Sequence, residues 1–129
     1  MMSEAKIIIV EDDPMMADTI ASMLELFGYE TAICQTAREA LDAIPQDRPG
    51  LILLDLNLPD GVSGIEICRQ VKADPNLRTT SVIIVSAEDN PLVIRSAMAA
   101  GASRYLVKPI GLDDLEKAIA ETLAEREGG

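Results

Sequence analysis

The chain has 129 residues, enough for one compact domain with a core of its own. Apolar residues make up 48% and aromatics only 2%, so aliphatic side chains must fill that core. The formal charge of −11 argues against gripping nucleic-acid phosphates or an anionic membrane, and the absence of histidine excludes Ser-His-Asp and Cys-His catalysis, histidine-ligated metals and a phosphohistidine.

In chain order, the first predicted strand is Lys6–Val10, and it opens onto Glu11-Asp12-Asp13. Asp13-Pro14 has the chemistry of an N-cap followed by N1, and a helix is predicted over residues 15–27 with Gly28 closing it. A second strand (29–33) leads to a helix over 37–44, announced by the capping-box spacing of Thr36 and Glu39. The third strand, Leu51–Leu54, runs straight into Asp55, and the third helix is predicted over 64–72. The fourth strand (82–85) ends at Ser86; Asn90-Pro91 then caps a helix over 92–100, with Gly101 behind it. The fifth strand, Arg104–Val107, ends at Lys108, and the last helix is predicted over 112–126. Leu112, Leu115, Ile119 and Leu123 should form its buried stripe, with Glu116 and Glu121 on the exposed face.

Five strand–helix units in this length imply a parallel sheet with helices on both faces, an open doubly wound α/β domain; a closed eight-fold barrel needs roughly twice the chain. The runs IIIV, LILL and VIIV are apolar at every position, as strands covered on both faces should be. Residues 1–129 read as a single domain with no repeat or internal linker, loose only at residues 1–5 and 127–129. Cys34 and Cys68 lack metal-ligand spacing and read as reduced core residues of a cytoplasmic protein. No apolar run resembles a signal peptide or approaches the ~20 residues of a membrane span.

In open α/β sheets, ligands bind beyond the carboxyl ends of the strands. Here those ends carry Glu11-Asp12-Asp13, Asp55, Ser86 and Lys108. Each has a plain reading when taken alone: acids favour a helix start, a serine ends a strand in a turn, and Lys-Pro makes a loop. Together they bring carboxylates, a hydroxyl and an ammonium to one rim. Clustered carboxylates raise one another's pKa unless a cation joins them, and oxygen-only ligands select Mg²⁺ or Mn²⁺ over zinc. Lysine and hydroxyl can then hold phosphoryl oxygens, with Asp55 as a nucleophile that forms an acyl phosphate.

Four stretches, VEDDP (10–14), LLDLNLP (53–59), VSA (85–87) and GASRYLVKPI (101–110), resemble the receiver domain of two-component response regulators, of the chemotaxis-regulator kind, over essentially the whole chain. The resemblance implies a flavodoxin-like five-stranded sheet in the order 2-1-3-4-5 with five helices. It implies that Asp55 accepts a phosphoryl group from a sensor histidine kinase or phosphotransfer protein. Mg²⁺, or Mn²⁺ in its place, would be held by Asp12, Asp13, Asp55 and the backbone carbonyl of Asn57. Lys108 and Ser86 would contact the phosphoryl oxygens, Tyr105 would follow the movement of Ser86, and Lys108-Pro109 would be cis. The surface of helix four, strand five and helix five would then control a downstream protein or an attached output domain. Such a chain is a switch that catalyses only its own phosphorylation and dephosphorylation, with no membrane contact and no grip on nucleic acid. Self-association through the fourth and fifth helices, and whether the chain acts alone or as part of a longer regulator, stay open.

Asn57 and Glu88, each two residues beyond a site residue, are expected to flank the phosphoryl group and set its lifetime. The stretch from Pro59 to Gly64 is one residue longer than the usual turn after the acceptor. A haloacid-dehalogenase-like phosphatase using Asp55 as nucleophile is the main alternative, but it needs a second aspartate where Asn57 stands. A flavin carrier would need a phosphate loop and aromatics that this sequence lacks.

Overall fold

The computed structural model describes residues 5–128. Its elements alternate along the chain: β1 Lys6–Val10, α1 Pro14–Leu26, β2 Glu30–Cys34, α2 Ala37–Asp47, β3 Leu51–Leu54, α3 Gly64–Ala73, a 3₁₀ turn Pro75–Leu77, β4 Ser81–Ser86, α4 Pro91–Ala99, β5 Arg104–Val107 and α5 Leu112–Gly128. All pairings are parallel, in the order β2-β1-β3-β4-β5. The doubly wound, flavodoxin-like arrangement expected from the sequence is the one found.

Strand side chains alternate between faces, so the sheet divides the core in two. Ile8, Val10, Ile52, Leu54, Val82 and Ile84 pack against Ala40, Ile44, Ile67, Val71 and Ala97 of α2, α3 and α4. Ile7, Ile9, Leu51, Leu53, Ile83 and Val85 pack against Ile20 and Leu24 of α1 and Leu115, Ile119 and Leu123 of α5. Each of the isoleucines, leucines and valines, where fully buried, contributes about 1.5–3 kcal/mol. The central strands are therefore the most firmly fixed part of the molecule, and the site residues hang from their ends. Both cysteines are free and buried, and burial pushes the Cys34 thiol up to about 11, so neither is a ready nucleophile.

Several boundaries differ from expectation for local reasons. β2 starts one residue later, because Gly28 (φ 93°) and Tyr29 still bond back to the carbonyls of Glu25 and Leu24. α2 continues through Pro45 to Asp47, and Arg48, with φ 45°, closes it by donating to the Ile44 carbonyl. β4 gains Ser81 and Ser86. Leu112, expected in the buried stripe of α5, is 40% exposed and lines an open groove of about 370 Å³ with Met16 and Ile110. Glu121 is exposed as expected, while Glu116 is half-buried. Residues 1–4 and 129, most of the ends expected to be loose, lie outside the described residues, and α5 runs on to Gly128.

Candidate functional site

The register places the polar residues at the strand ends. Val10 pairs with Leu54, and Ser86 with Val107, so the next residues along β1, β3 and β5 (Glu11, Asp55 and Lys108) emerge at one edge. The ladder continues past the strands: Glu11 N donates to the Cys34 carbonyl (3.0 Å), Asp55 N to Val10 (3.1 Å) and Lys108 N to Ser86 (2.8 Å). Glu11 and Asp55 are 5% and 8% exposed, and Ser86 is 0% exposed.

Two buried carboxylates side by side are costly unless a positive charge joins them. Lys108 supplies it: its Nζ lies 2.8 Å from Glu11 Oε1 and 3.1 Å from Asp55 Oδ2. Burial, the largest influence on this ammonium, pulls its pKa down. The bonds to Glu11 and Asp55, with the attraction of both charges, outweigh burial and hold it above the ordinary lysine value. One carboxylate oxygen from each of Glu11, Asp12 and Asp55 lies within 4.8 Å of the others. This all-oxygen donor set fits a hard divalent cation and offers nothing to a soft one.

The resemblance counts Asp13 among the cation's ligands. Asp13 is not in this cluster; its carboxylate turns to the start of α1, accepting from Met15 N (3.0 Å) and Met16 N (3.5 Å). Pro14 opens the helix, so the preceding side chain caps the unpaired N–H groups. Glu11 takes the inward place, and its Oε2 also accepts from Asp13 N at 3.2 Å. The Asp13-Pro14 pair was the signal that Asp13 is committed elsewhere.

The chain leaving Asp55 folds back on itself. Asn57 N donates to Asp55 Oδ1 at 3.1 Å, while Leu56 and Leu58 are buried and leave Asn57 facing outward. Pro59 and Asp60 form the middle of a turn closed by Gly61 N to the Leu58 carbonyl (3.3 Å), with Gly61 at φ 80°. Asn57 then bridges to Ser63, whose hydroxyl caps α3 through Ile65 N. This small closed loop absorbs the extra residue. Gly64 must be glycine, because a Cβ there would lie 2.5 Å from the Asp55 carbonyl oxygen. Asp60 was not singled out from the sequence, yet its carboxylate crosses to α2 and accepts from Ala37 N (3.1 Å) and Arg38 N (3.0 Å).

On the other side, Ser86 Oγ accepts from Glu88 N (3.2 Å), and the Tyr105 hydroxyl donates to the Glu88 carbonyl (2.7 Å). Burial raises the Tyr105 phenol, and the nearby Ser86 hydroxyl offsets part of that rise. The Glu88 carboxylate bonds Asn90 N at the start of α4. Asn57 and Glu88 line one cleft of about 480 Å³ with Leu58, Val62 and Val93. The Lys108-Pro109 peptide is cis, as expected.

A parallel sheet ordered 2-1-3-4-5, with an acidic pocket and a lysine at its carboxyl edge, defines a flavodoxin-like α/β domain. The family profile of the response regulator receiver domain matches residues 7–120. The DNA-binding response regulator MtrA of Mycolicibacterium smegmatis is 31% identical over 122 residues, covering 95% of this chain and 52% of MtrA. The transcriptional regulatory protein CrdR of Helicobacter pylori is 33% identical over 116 residues, covering 90% of this chain and 54% of CrdR. A CheY-like receiver domain protein from Methanospirillum hungatei superposes with a TM-score of 0.91 at 34% identity, covering 98% of each chain.

The chain belongs to the response regulator receiver domains of two-component systems. Receiver domains are regulatory switches that bind Mg²⁺ in an acidic pocket, and Glu11, Asp12 and Asp55 form such a pocket here. The phosphatase alternative finds no support in these relatives. The chain spans about half the length of the curated relatives it matches, and no helix among the described residues is long and apolar enough to cross a membrane.

Proposed function

We propose that Asp55 is the phosphoacceptor and that a phosphohistidine on a sensor kinase or phosphotransfer protein is the donor. The observation that carries this reading is the Lys108 ammonium held between Asp55 and Glu11. A carboxylate oxygen of Asp55 attacks phosphorus, the P–N bond breaks as the P–O bond forms, and the electron pair leaves with the imidazole. Glu11, Asp12, Asp55 and the Asn57 carbonyl are the residues to hold Mg²⁺, or Mn²⁺ in its place. When bound, that ion offsets the negative charge of the phosphoryl oxygens.

Lys108 needs only to exchange a carboxylate oxygen for a phosphoryl oxygen. The Ser86 hydroxyl, now accepting from Glu88 N, turns its proton toward the same group. Phosphorylation then favours one arrangement of Ser86, Tyr105 and the loop through Glu88, which changes the surface of α4, β5 and α5. Asn57 and Glu88, which line one cleft, govern access of the hydrolytic water. The chain is a switch and turns over no separate substrate.

Its output passes to a downstream protein or to an attached domain. The names of MtrA and CrdR favour a link to transcription, with DNA contact made outside this acidic segment. The site belongs in the cytoplasm, where the phosphoryl donor would meet it. The test is Mg²⁺-dependent labelling by acetyl phosphate, which should disappear in Asp55→Asn; labelling of that variant at the wild-type level would overturn the assignment.

A further inference from the structure

Among the described residues, the hydrogen bonds that leave the tip of the loop after Asp55 for another element are both made by Asp60. They end on Ala37 N and Arg38 N, the first two amides of α2, while Thr36 Oγ takes the third at Glu39 N. The N-terminus of α2 is thus capped jointly by its own N-cap and by a side chain 23 residues further along the chain. Asp60 sits in the turn that begins at Leu58, immediately after Asn57. The other ties on Asn57 are its amide bond to Asp55 Oδ1 and its bridge to Ser63. The first of these must loosen once Asp55 carries a phosphoryl group, because that carboxylate changes its charge and its partners.

We propose that Asp60 is a positioning residue: by fastening the loop tip to the start of α2, it fixes the orientation of the Asn57 carbonyl and so pre-organises the cation site. This rests on the reading of Asp55 as a Mg²⁺-dependent acceptor. The bonds to Arg38 N and Ala37 N hold the Asp60 carboxyl below its ordinary value against the smaller effect of desolvation, so the latch is charged at neutral pH. Coupling is reciprocal, so binding of Mg²⁺ must also tighten the start of α2.

The test uses the full chain, with Mg²⁺ affinity measured by calorimetry. Asp60→Ala should weaken Mg²⁺ by about fivefold, the lower end of typical coupling between sites, while labelling by acetyl phosphate at saturating Mg²⁺ is retained. Thr36→Ala removes the helix's own cap but leaves both Asp60 bonds in place, so it should lower Tm while weakening Mg²⁺ less than Asp60→Ala does. In the wild type, Mg²⁺ should slow hydrogen exchange at Ala37 and Arg38, and in Asp60→Ala it should not. Asp60→Asn keeps one acceptor oxygen and should fall between; it replaces the alanine variant if that variant does not fold. Equal Mg²⁺ affinity in wild type, Asp60→Ala and Asp60→Asn would overturn the latch while leaving the acceptor reading intact. A wild-type chain that neither binds Mg²⁺ nor takes label would overturn both.

Discussion

The Lys108 ammonium stands 3.1 Å from the Asp55 carboxylate, across 53 residues of sequence, and it is the same group that holds Glu11 at 2.8 Å. One cation therefore balances two acids that the sheet has withdrawn from water. Lys108→Met should leave them unpaired and lower stability by about 1–3 kcal/mol, the usual penalty for a stranded buried group. Addition of Mg²⁺ should recover more stability in this variant than in the wild type, because the ion restores the missing charge. Urea unfolding with and without Mg²⁺ checks both effects.

The same ion pair has a pH signature. The folded state raises the Lys108 pKa above 10.5, so its stabilisation is fully present below that value and is lost as pH rises through the raised one. The stability gap between wild type and Lys108→Met should therefore be constant at neutral pH and narrow in the alkaline range. Lys6, also raised by its bond to Asp47, titrates in both proteins and cancels in the difference.

Glu11 and Asp13 should behave oppositely. Glu11→Gln removes a charge from the oxygen cluster and should weaken Mg²⁺ by about tenfold, the effect of losing ~1.4 kcal/mol of attraction. Asp13→Ala should leave Mg²⁺ affinity unchanged and instead cost about 1 kcal/mol of stability through the lost helix cap. Calorimetric titration and thermal unfolding of the two variants separate the roles.

Gly64→Ala pits helix propensity against space. Alanine favours a helix over glycine by about 1 kcal/mol. Here its Cβ would meet the Asp55 carbonyl oxygen at 2.5 Å and Leu56 Cα at 2.9 Å, and both are backbone atoms that cannot step aside. The clash should win, with a net loss of about 1–3 kcal/mol and slower labelling as the acceptor's own peptide is displaced. A variant as stable and as readily labelled as wild type would contradict this.

The sheet was legible because its three central strands carry unbroken aliphatic runs, and Lys6–Val10, Leu51–Leu54 and Arg104–Val107 form with the expected bounds. The rim residues were legible because each follows such a run. The choice between Glu11 and Asp13 depends on what lies beside each of them, and the pairing of Val10 with Leu54 is a relation between strands that no local pattern displays. Helical period placed Leu112 inside, but period says nothing about whether the first turn of a helix has anything to pack on; there it meets an open groove. Asp60 was invisible for a similar reason, since a side chain that caps a helix 23 residues earlier leaves no mark in its own neighbourhood.

The ladder bonds that run one residue past the strands, from Glu11 to Cys34, Asp55 to Val10 and Lys108 to Ser86, give this edge a stationary floor. A group arriving there cannot pull the strand ends toward itself. Whatever it displaces must be side chains above that floor, or the two loops that flank it, one carrying Asn57 and the other Glu88. The signal therefore leaves sideways, along the loops, while the sheet serves as the anvil.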